Sequence, residues 1–279
     1  RRQRQMCIRD SALSVGNDTL FVDNKFTLSE NYKNSLVASM EDIVTTFQNI
    51  CCYSVYSHQN EIKNGFVTMG SGHRVGICGT AVSIHGEINS VRDISSLNIR
   101  IAREIPNASE ELLRRVGKLD GGLLIVGMPC SGKTTILRDL ARRISLGIDC
   151  RIMRTSVVDE RSELSGTYAG ISKNDLGLAD ILNGYSKADG IMQALRTLSP
   201  EAIICDEIGA SSDMQAIEQG VNAGVSIIAT IHAESYHELL SRNQGKALIG
   251  TGAFKTIVIL DSRENIGKIK ELIRLRGAK

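Results

Sequence analysis

Leu123-Leu124-Ile125-Val126-Gly127-Met128-Pro129-Cys130-Ser131-Gly132-Lys133-Thr134 is the stretch from which the rest of the chain can be read. Four consecutive apolar residues predict a short strand buried on both faces. The next eight residues match G-x-x-x-x-G-K-[ST] in full. Residues 133–144 then carry a helical pattern, so the loop lies between a strand and a helix. A chance glycine-rich turn lacks that setting. The chemistry explains each residue type. Glycines let the backbone wrap a phosphate with successive N–H groups pointing inward. Lys133 brings a positive charge to the β- and γ-phosphates, and Thr134 offers a hydroxyl to Mg²⁺. Gly127, Met128, Pro129, Cys130, Ser131, Gly132, Lys133, Thr134 and Thr135 are the candidate nucleotide contacts, with ATP and Mg²⁺ as the ligands.

Three acidic or polar strand ends follow downstream. Ala202-Ile203-Ile204-Cys205 is an apolar run ending in Asp206-Glu207. Beside a P-loop, such an end is a Walker B candidate. Asp206 is then the metal-holding carboxylate, and Glu207 orients or deprotonates the attacking water. Val157-Val158-Asp159-Glu160-Arg161-Ser162-Glu163 ends another strand with acids. Thr230-Ile231-His232-Ala233 sets a hydroxyl and an imidazole after a third. Taken bare, the last two are as readily a surface turn and a structural histidine.

The second half of the chain alternates strand-like and helix-like segments. Strands are predicted over 123–126, 150–158, 202–205, 225–231 and 256–260. Helices are predicted over 133–144, 187–198 and 212–222. Residues 268–275 complete a terminal hairpin. This alternation implies an α/β fold with a mostly parallel sheet covered on both faces. The first half has a different texture. Residues 27–50 predict a helix, with Thr27-Leu28-Ser29-Glu30 as its capping box. Short strands run from 65 to 102, with His85-Gly86 as a hairpin turn. Pro106-Asn107-Ala108-Ser109-Glu110 breaks the pattern. The expected division is therefore a smaller α+β domain over 1–112 and the α/β domain over 113–279.

Composition narrows the function classes. Lys and Arg exceed Asp and Glu by only 33 to 31, and aromatics make up 4%. That argues against nucleic acid as a direct partner, since the net charge is modest and aromatics for stacking are few. Arg1-Arg2-Gln3-Arg4 reads as a solvated basic tail. No run approaches the roughly 18 apolar residues of a membrane-spanning helix. The cysteines at 7, 51, 52, 78, 130, 150 and 205 show no C-x-x-C spacing, which suits reduced thiols in a cytosolic protein.

The order P-loop, acidic strand end, Asp-Glu strand and Thr-x-His-Ala resembles the type II/IV secretion ATPases, where the four are called Walker A, Asp box, Walker B and His box. Within that group the chain is more similar to the stage III sporulation protein AA family. The residues that carry this are Gly72-His73-Arg74-Val75-Gly76, the segment Arg92-Asp93-Ile94-Ser95-Ser96-Leu97-Asn98-Ile99-Arg100-Ile101-Ala102-Arg103-Glu104, residues 158–163, and Asn222-Ala223-Gly224-Val225-Ser226.

The resemblance covers roughly residues 27–279. It implies a RecA-like ATPase domain that hydrolyses ATP, and a catalytic set of Lys133, Glu160, Glu207 and His232. Glu163 is a second Asp-box acid. Arg92, Arg100 and Arg103 are implied as arginines offered across a subunit boundary. Arg196 matches an arginine that precedes a Pro-Asp pair, but Glu201 stands where that Asp is expected. Cys130 replaces a small Gly or Ser. The implied assembly is a homo-oligomer, a hexameric ring, docked on a membrane-embedded sporulation protein at the inner face of a membrane. A nucleic-acid translocase and an ATP-binding assembly scaffold share the same core. DNA-stimulated turnover marks the first and absence of turnover the second.

Overall fold

Strands dominate the first hundred residues because apolar residues there alternate with small polar ones and glycine, and over 74–101 they form two long strands of 11 and 15 residues rather than the short ones expected. The computed structural model describes residues 4–7, 11–15, 18–69, 73–84, 86–101, 105–167, 170–261 and 265–275, and the chain divides into two units. The first contains β1 (Arg4–Cys7), β2 (Ala12–Val15), β3 (Asp18–Val22), β4 (Leu28–Ser29), α1 (Met40–Ile50), α2 (Gln59–Lys63), β5 (Phe66–Thr68), β6 (Arg74–Ile84) and β7 (Glu87–Ile101). Its seven strands are ordered β4-β3-β2-β1-β7-β6-β5. All neighbours run antiparallel. Ile43, Phe47, Ile50 and Ile62 of the helices pack with Val67, Val75, Ile77 and Leu97 of the sheet.

Two expectations for this unit need correction. Residues 27–50 do not form one helix. Thr27 turns back instead, its N–H and hydroxyl both donating to the Asp23 carboxylate. The helix starts at Met40, where Ser39 and Asp42 form the capping box. Ser-x-x-Asp supplies the reciprocal bonds that were expected from Thr27 and Glu30. Arg4 is also not part of a solvated tail. It lies in β1, paired with Val15 on one side and Ile101 on the other. The expected hairpin is present, with Ile84 opposite Glu87. Gly86 sits at φ +84°, and His85 lies outside the described residues.

The second unit contains α3 (Glu110–Val116), β8 (Leu123–Val126), α4 (Lys133–Leu146), β9 (Thr155–Asp159), β10 (Asp180–Asn183), α5 (Lys187–Thr197), β11 (Ala202–Cys205), α6 (Ser211–Asn222), β12 (Ser226–Ile231), α7 (Tyr236–Ser241), α8 (Asn243–Gly250), β13 (Thr256–Leu260) and β14 (Ile269–Arg274). The sheet order is β10-β9-β11-β12-β8-β13-β14. Every pair is parallel except β13 with β14. Side chains alternate between the two faces. Leu123, Ile125, Ala202 and Ile204 join Ile136, Leu140 and Ile144 of α4 on one face. Leu124, Val126, Ile203 and Cys205 join Ile191 of α5 and Ile217 of α6 on the other. A sheet covered on both faces requires continuous apolar strands, and LLIV and AIIC are such strands.

The division between the units falls after residue 103, earlier than the expected 112. Helix α3 straddles the expected boundary, and its Leu112, Leu113 and Val116 belong to the second unit's core. The segment before it is held there as well. Asp139 of α4 accepts the N–H groups of Asn107 at 3.1 Å and Ser109 at 2.8 Å, and the Ser109 hydroxyl at 2.6 Å. Arg143 reaches Asp139 at 3.2 Å and the Asn107 side chain at 2.6 Å. Ser109, Asp139 and Arg143 are all buried.

Candidate active site

The site is built where β8 meets α4. Gly132 caps the helix at φ +98°, and a Cβ there would lie 3.2 Å from the Gly267 nitrogen. A Cβ on Gly127 would lie 2.4 Å from the Ser131 hydroxyl oxygen. Both positions therefore need glycine. Cys130 takes φ +65° without that freedom. Met128, Pro129 and Cys130 are exposed at the loop's rim, while Ser131 is buried. The Ser131 hydroxyl is among the buried polar atoms with no hydrogen-bond partner. Thr134 and Thr135 lie in the first turn of α4, where backbone N–H groups have no intrahelical acceptor. Such a loop fits an anion.

Lys133 is 6% exposed. Its Nζ donates to the carbonyls of Gly127 at 2.8 Å and Met128 at 2.9 Å, and contacts His232 Nδ1 at 3.1 Å. Burial pushes its ammonium below the ordinary lysine pKa, while Asp206 and Glu207 pull the other way. The neighbouring Thr134 hydroxyl donates to Asp206 Oδ2 at 2.7 Å. A hydroxyl and a carboxylate side by side form a hard-oxygen pair that fits Mg²⁺.

The end of β11 aims the two acids differently. Asp206 receives the Thr134 hydroxyl on one oxygen and the Thr230 hydroxyl on the other. Glu207 sits at φ +47°, a left-handed conformation that costs a non-glycine residue about 1–2 kcal/mol. Its Oε1 lies 3.1 Å from His232 Nε2, and its Oε2 lies 3.7 Å from Arg161. One imidazole thus spans Lys133 and Glu207.

The acids after β9 have other partners. Asp159 is buried. It accepts the N–H groups of Glu163, Leu164 and Ser165 and the Ser165 hydroxyl, so it closes its own turn. Glu160 pairs with Lys187 at the start of α5. The Glu163 backbone carbonyl accepts from Arg138 at 2.7 Å. An open cavity of about 390 Å³ lies among Glu160, Arg161, Lys187, Glu207, His232 and Arg242. Arg242 donates to the His232 carbonyl at 2.9 Å and pairs with Glu238.

Lys133, Thr134, Asp206, Glu207 and His232 are brought together by these contacts. Glu160 is tied to Lys187 and shares a cavity with Glu207. Arg92 and Arg100 belong to the first unit, both on β7, and Arg92 lies 3.4 Å from Asp93. Arg103 lies outside the described residues. Arg196 is in the last turn of α5. Glu201 accepts from the Arg154 N–H at 3.1 Å and from Arg151 at 3.0 Å, bonds that hold its carboxyl below the usual range. Thr230, noted in the sequence only as a hydroxyl beside His232, is bonded to Asp206 and to the Glu207 N–H. Arg161, Lys187 and Arg242 were not singled out. The partners of Arg161 and Lys187 follow other strands, and the Arg242–Glu238 pair reads in sequence as an ordinary i,i+4 surface pair.

The family model described as "Sporulation stage III, protein AA" matches residues 5–279. Stage III sporulation protein AA of Bacillus subtilis (strain 168) is 37% identical over 241 residues, covering 85% of this chain and 78% of that protein. Among solved structures, the ATPase DotB of Yersinia pseudotuberculosis superposes with a TM-score of 0.59 at 16% identity, over 92% of this chain and 70% of DotB. The pilus retraction motor PilT, solved with bound ADP, gives a TM-score of 0.55 at 14% identity, over 92% and 74%. Likeness at that identity is a likeness of fold, and the fold is that of the RecA-like secretion ATPases. Taken with the P-loop and the acids gathered around it, the match along nearly the whole length places the chain in the sporulation stage III protein AA family.

Proposed function

We propose that this chain hydrolyses ATP with Mg²⁺ as one subunit of a ring-shaped motor, docked on a membrane-embedded partner during sporulation. One observation carries the reading: Thr134 bonded to Asp206 at 2.7 Å, immediately beside a buried Lys133. A buried lysine beside a hydroxyl–carboxylate pair, at the end of a glycine-rich loop, is the arrangement that meets a Mg²⁺-bound triphosphate. In this reading the N–H groups of residues 130–135 and Lys133 bind the phosphates, and Thr134 and Asp206 hold Mg²⁺. Bound Mg²⁺ would offset negative charge on the phosphates. Glu207 takes the proton of the attacking water, and His232 fixes the carboxylate by its Nε2. Glu207 is favoured over Glu160 as the base because its carboxylate reaches the histidine that also touches Lys133, whereas Glu160 is paired with Lys187. One of Arg92, Arg100 and Arg103 completes the site of a neighbouring copy.

Two measurements on the purified chain test the proposal. Phosphate release from Mg²⁺-ATP is expected from the parent and lost in Lys133→Ala. Mass measured with a non-hydrolysable ATP analogue is expected to exceed that of a monomer. Single-turnover assays with labelled ATP separate a slow enzyme from a scaffold. Binding without any turnover would overturn the ATPase reading. A chain that stays monomeric with nucleotide would overturn the ring.

A further inference from the structure

Thr230 is completely buried in β12, among apolar residues. A hydroxyl in that setting is unfavourable unless its hydrogen-bonding capacity is used. Here it is used in both directions. The hydroxyl donates to Asp206 Oδ1 and accepts the Glu207 N–H at 2.8 Å. The Thr230 carbonyl accepts the next amide, that of Ile208, at 3.0 Å. Thr230 therefore grips three consecutive residues after β11. Two of them are the acids proposed to hold the metal and take the proton. Glu207 is also the residue at φ +47°. Such a conformation persists only where surrounding bonds fix it. The Thr230 hydroxyl accepts from the very amide whose rotation defines that φ.

We infer that Thr230 is a positioning residue for hydrolysis, and the inference rests on the ATPase reading above. It touches no substrate. Its hydroxyl locks the rotation of the Asp206 carboxylate from the side opposite Thr134, and it holds the Glu207 backbone so that the side chain projects toward His232. Without the hydroxyl, the Glu207 amide is left without its acceptor, and the left-handed turn loses the bond that holds it. Glu207 then leaves His232, while the P-loop that binds ATP is untouched.

The test compares Thr230→Val, which keeps the branched shape without the hydroxyl, with Thr230→Ser, which keeps the hydroxyl. In the full chain, hydrogen exchange at the Glu207 amide is expected to be slow in the parent and the Ser variant, and at least about 10-fold faster in the Val variant. kcat is expected to fall about 100-fold in the Val variant, as misplaced catalytic groups do, with KM within about 3-fold. Ser is expected to restore most of kcat. A Val variant with parental kcat and a protected Glu207 amide would overturn the inference. So would equal losses in both variants. Should Val fail to melt cooperatively, Thr230→Ala carries the same comparison. If the parent itself turns over no ATP, the ATPase reading fails, and amide exchange alone still decides whether Thr230 holds Glu207.

Discussion

Lys133 Nζ lies 3.1 Å from His232 Nδ1, across a sequence separation of 99 residues. An ammonium has three donors and no acceptor, so Nδ1 accepts and the ring proton sits on Nε2, facing Glu207. The other two lysine donors go to the Gly127 and Met128 carbonyls. A phosphate and these three acceptors compete for the same three N–H bonds. Occupancy of the loop is thereby linked to the histidine and, through it, to Glu207.

The buried ammonium gives a stability prediction with a definite sign. Burial lowers the Lys133 pKa, so the folded state disfavours the charge. That penalty is fully present below the folded pKa and is relieved as pH rises through it. Lys133→Met removes the charge at similar length. Its melting temperature at neutral pH is expected to match or exceed the parent's, while ATP binding is lost. A drop of several degrees would show that the three hydrogen bonds outweigh the desolvation.

Glu207→Gln keeps the shape of the side chain but cannot accept a proton. It is expected to bind ATP with affinity close to the parent's and to turn over at least about 100-fold more slowly. Glu160→Gln is expected to retain turnover within about 10-fold, its loss being that of the Lys187 pair. Radiolabelled-ATP binding and single-turnover rates check both. If only the Glu160 change stops turnover, the two roles are exchanged.

The arginines are tested by mixing. At least one of Arg92→Ala, Arg100→Ala and Arg103→Ala is expected to cut turnover strongly, since an arginine supplied in trans is worth roughly 10³–10⁵ in other phosphoryl-transfer enzymes. ATP affinity should change little. Mixing that variant with Lys133→Ala is expected to recover part of the activity, because some interfaces then pair an intact arginine with an intact P-loop. Specific activity that does not depend on protein concentration or on mixing would rule out a shared site.

Thiol chemistry distinguishes the cysteines. Burial pushes the Cys205 thiol up to about 12 and the Cys51 thiol up to about 11. Both are inert at neutral pH, where thiolate is the reacting form. Cys130 is exposed on the P-loop. Peptide mapping after brief alkylation is expected to find Cys130 modified and Cys205 unmodified, with Mg²⁺-ADP protecting Cys130. Labelling of Cys130 that nucleotide leaves unchanged would count against its place at the loop's rim.

The α/β core was legible because its strands announce themselves. LLIV and AIIC are short and fully apolar, TIVIL is apolar after its first residue, and all three match observed strands. Beside a P-loop, Asp206 and Glu207 followed directly. Strand β10, Asp-Ile-Leu-Asn, was not legible, since two apolar residues between polar ends carry no period. Nor were β1 to β3, whose pairing with one another and with β7 is a long-range fact. Of the acids after β9, Asp159 closes a turn with three backbone N–H groups, and composition alone cannot separate such a cap from a ligand. The contact of Arg161 with Glu207 was not legible, because it exists only once two strands lie side by side.

The staple of Asn107 and Ser109 onto Asp139 and Arg143 decides where this protein can be cut. A fragment beginning at residue 113, where the composition changes, would strip a buried aspartate of three of its donors and a buried arginine of one acceptor. Leaving a buried polar group without its hydrogen-bond partners costs roughly 1–3 kcal/mol, a sizeable part of the stability of many domains. A gene fragment for the second unit therefore needs to include Asn107, and a fusion or exchange of the first unit has its natural seam upstream of that residue.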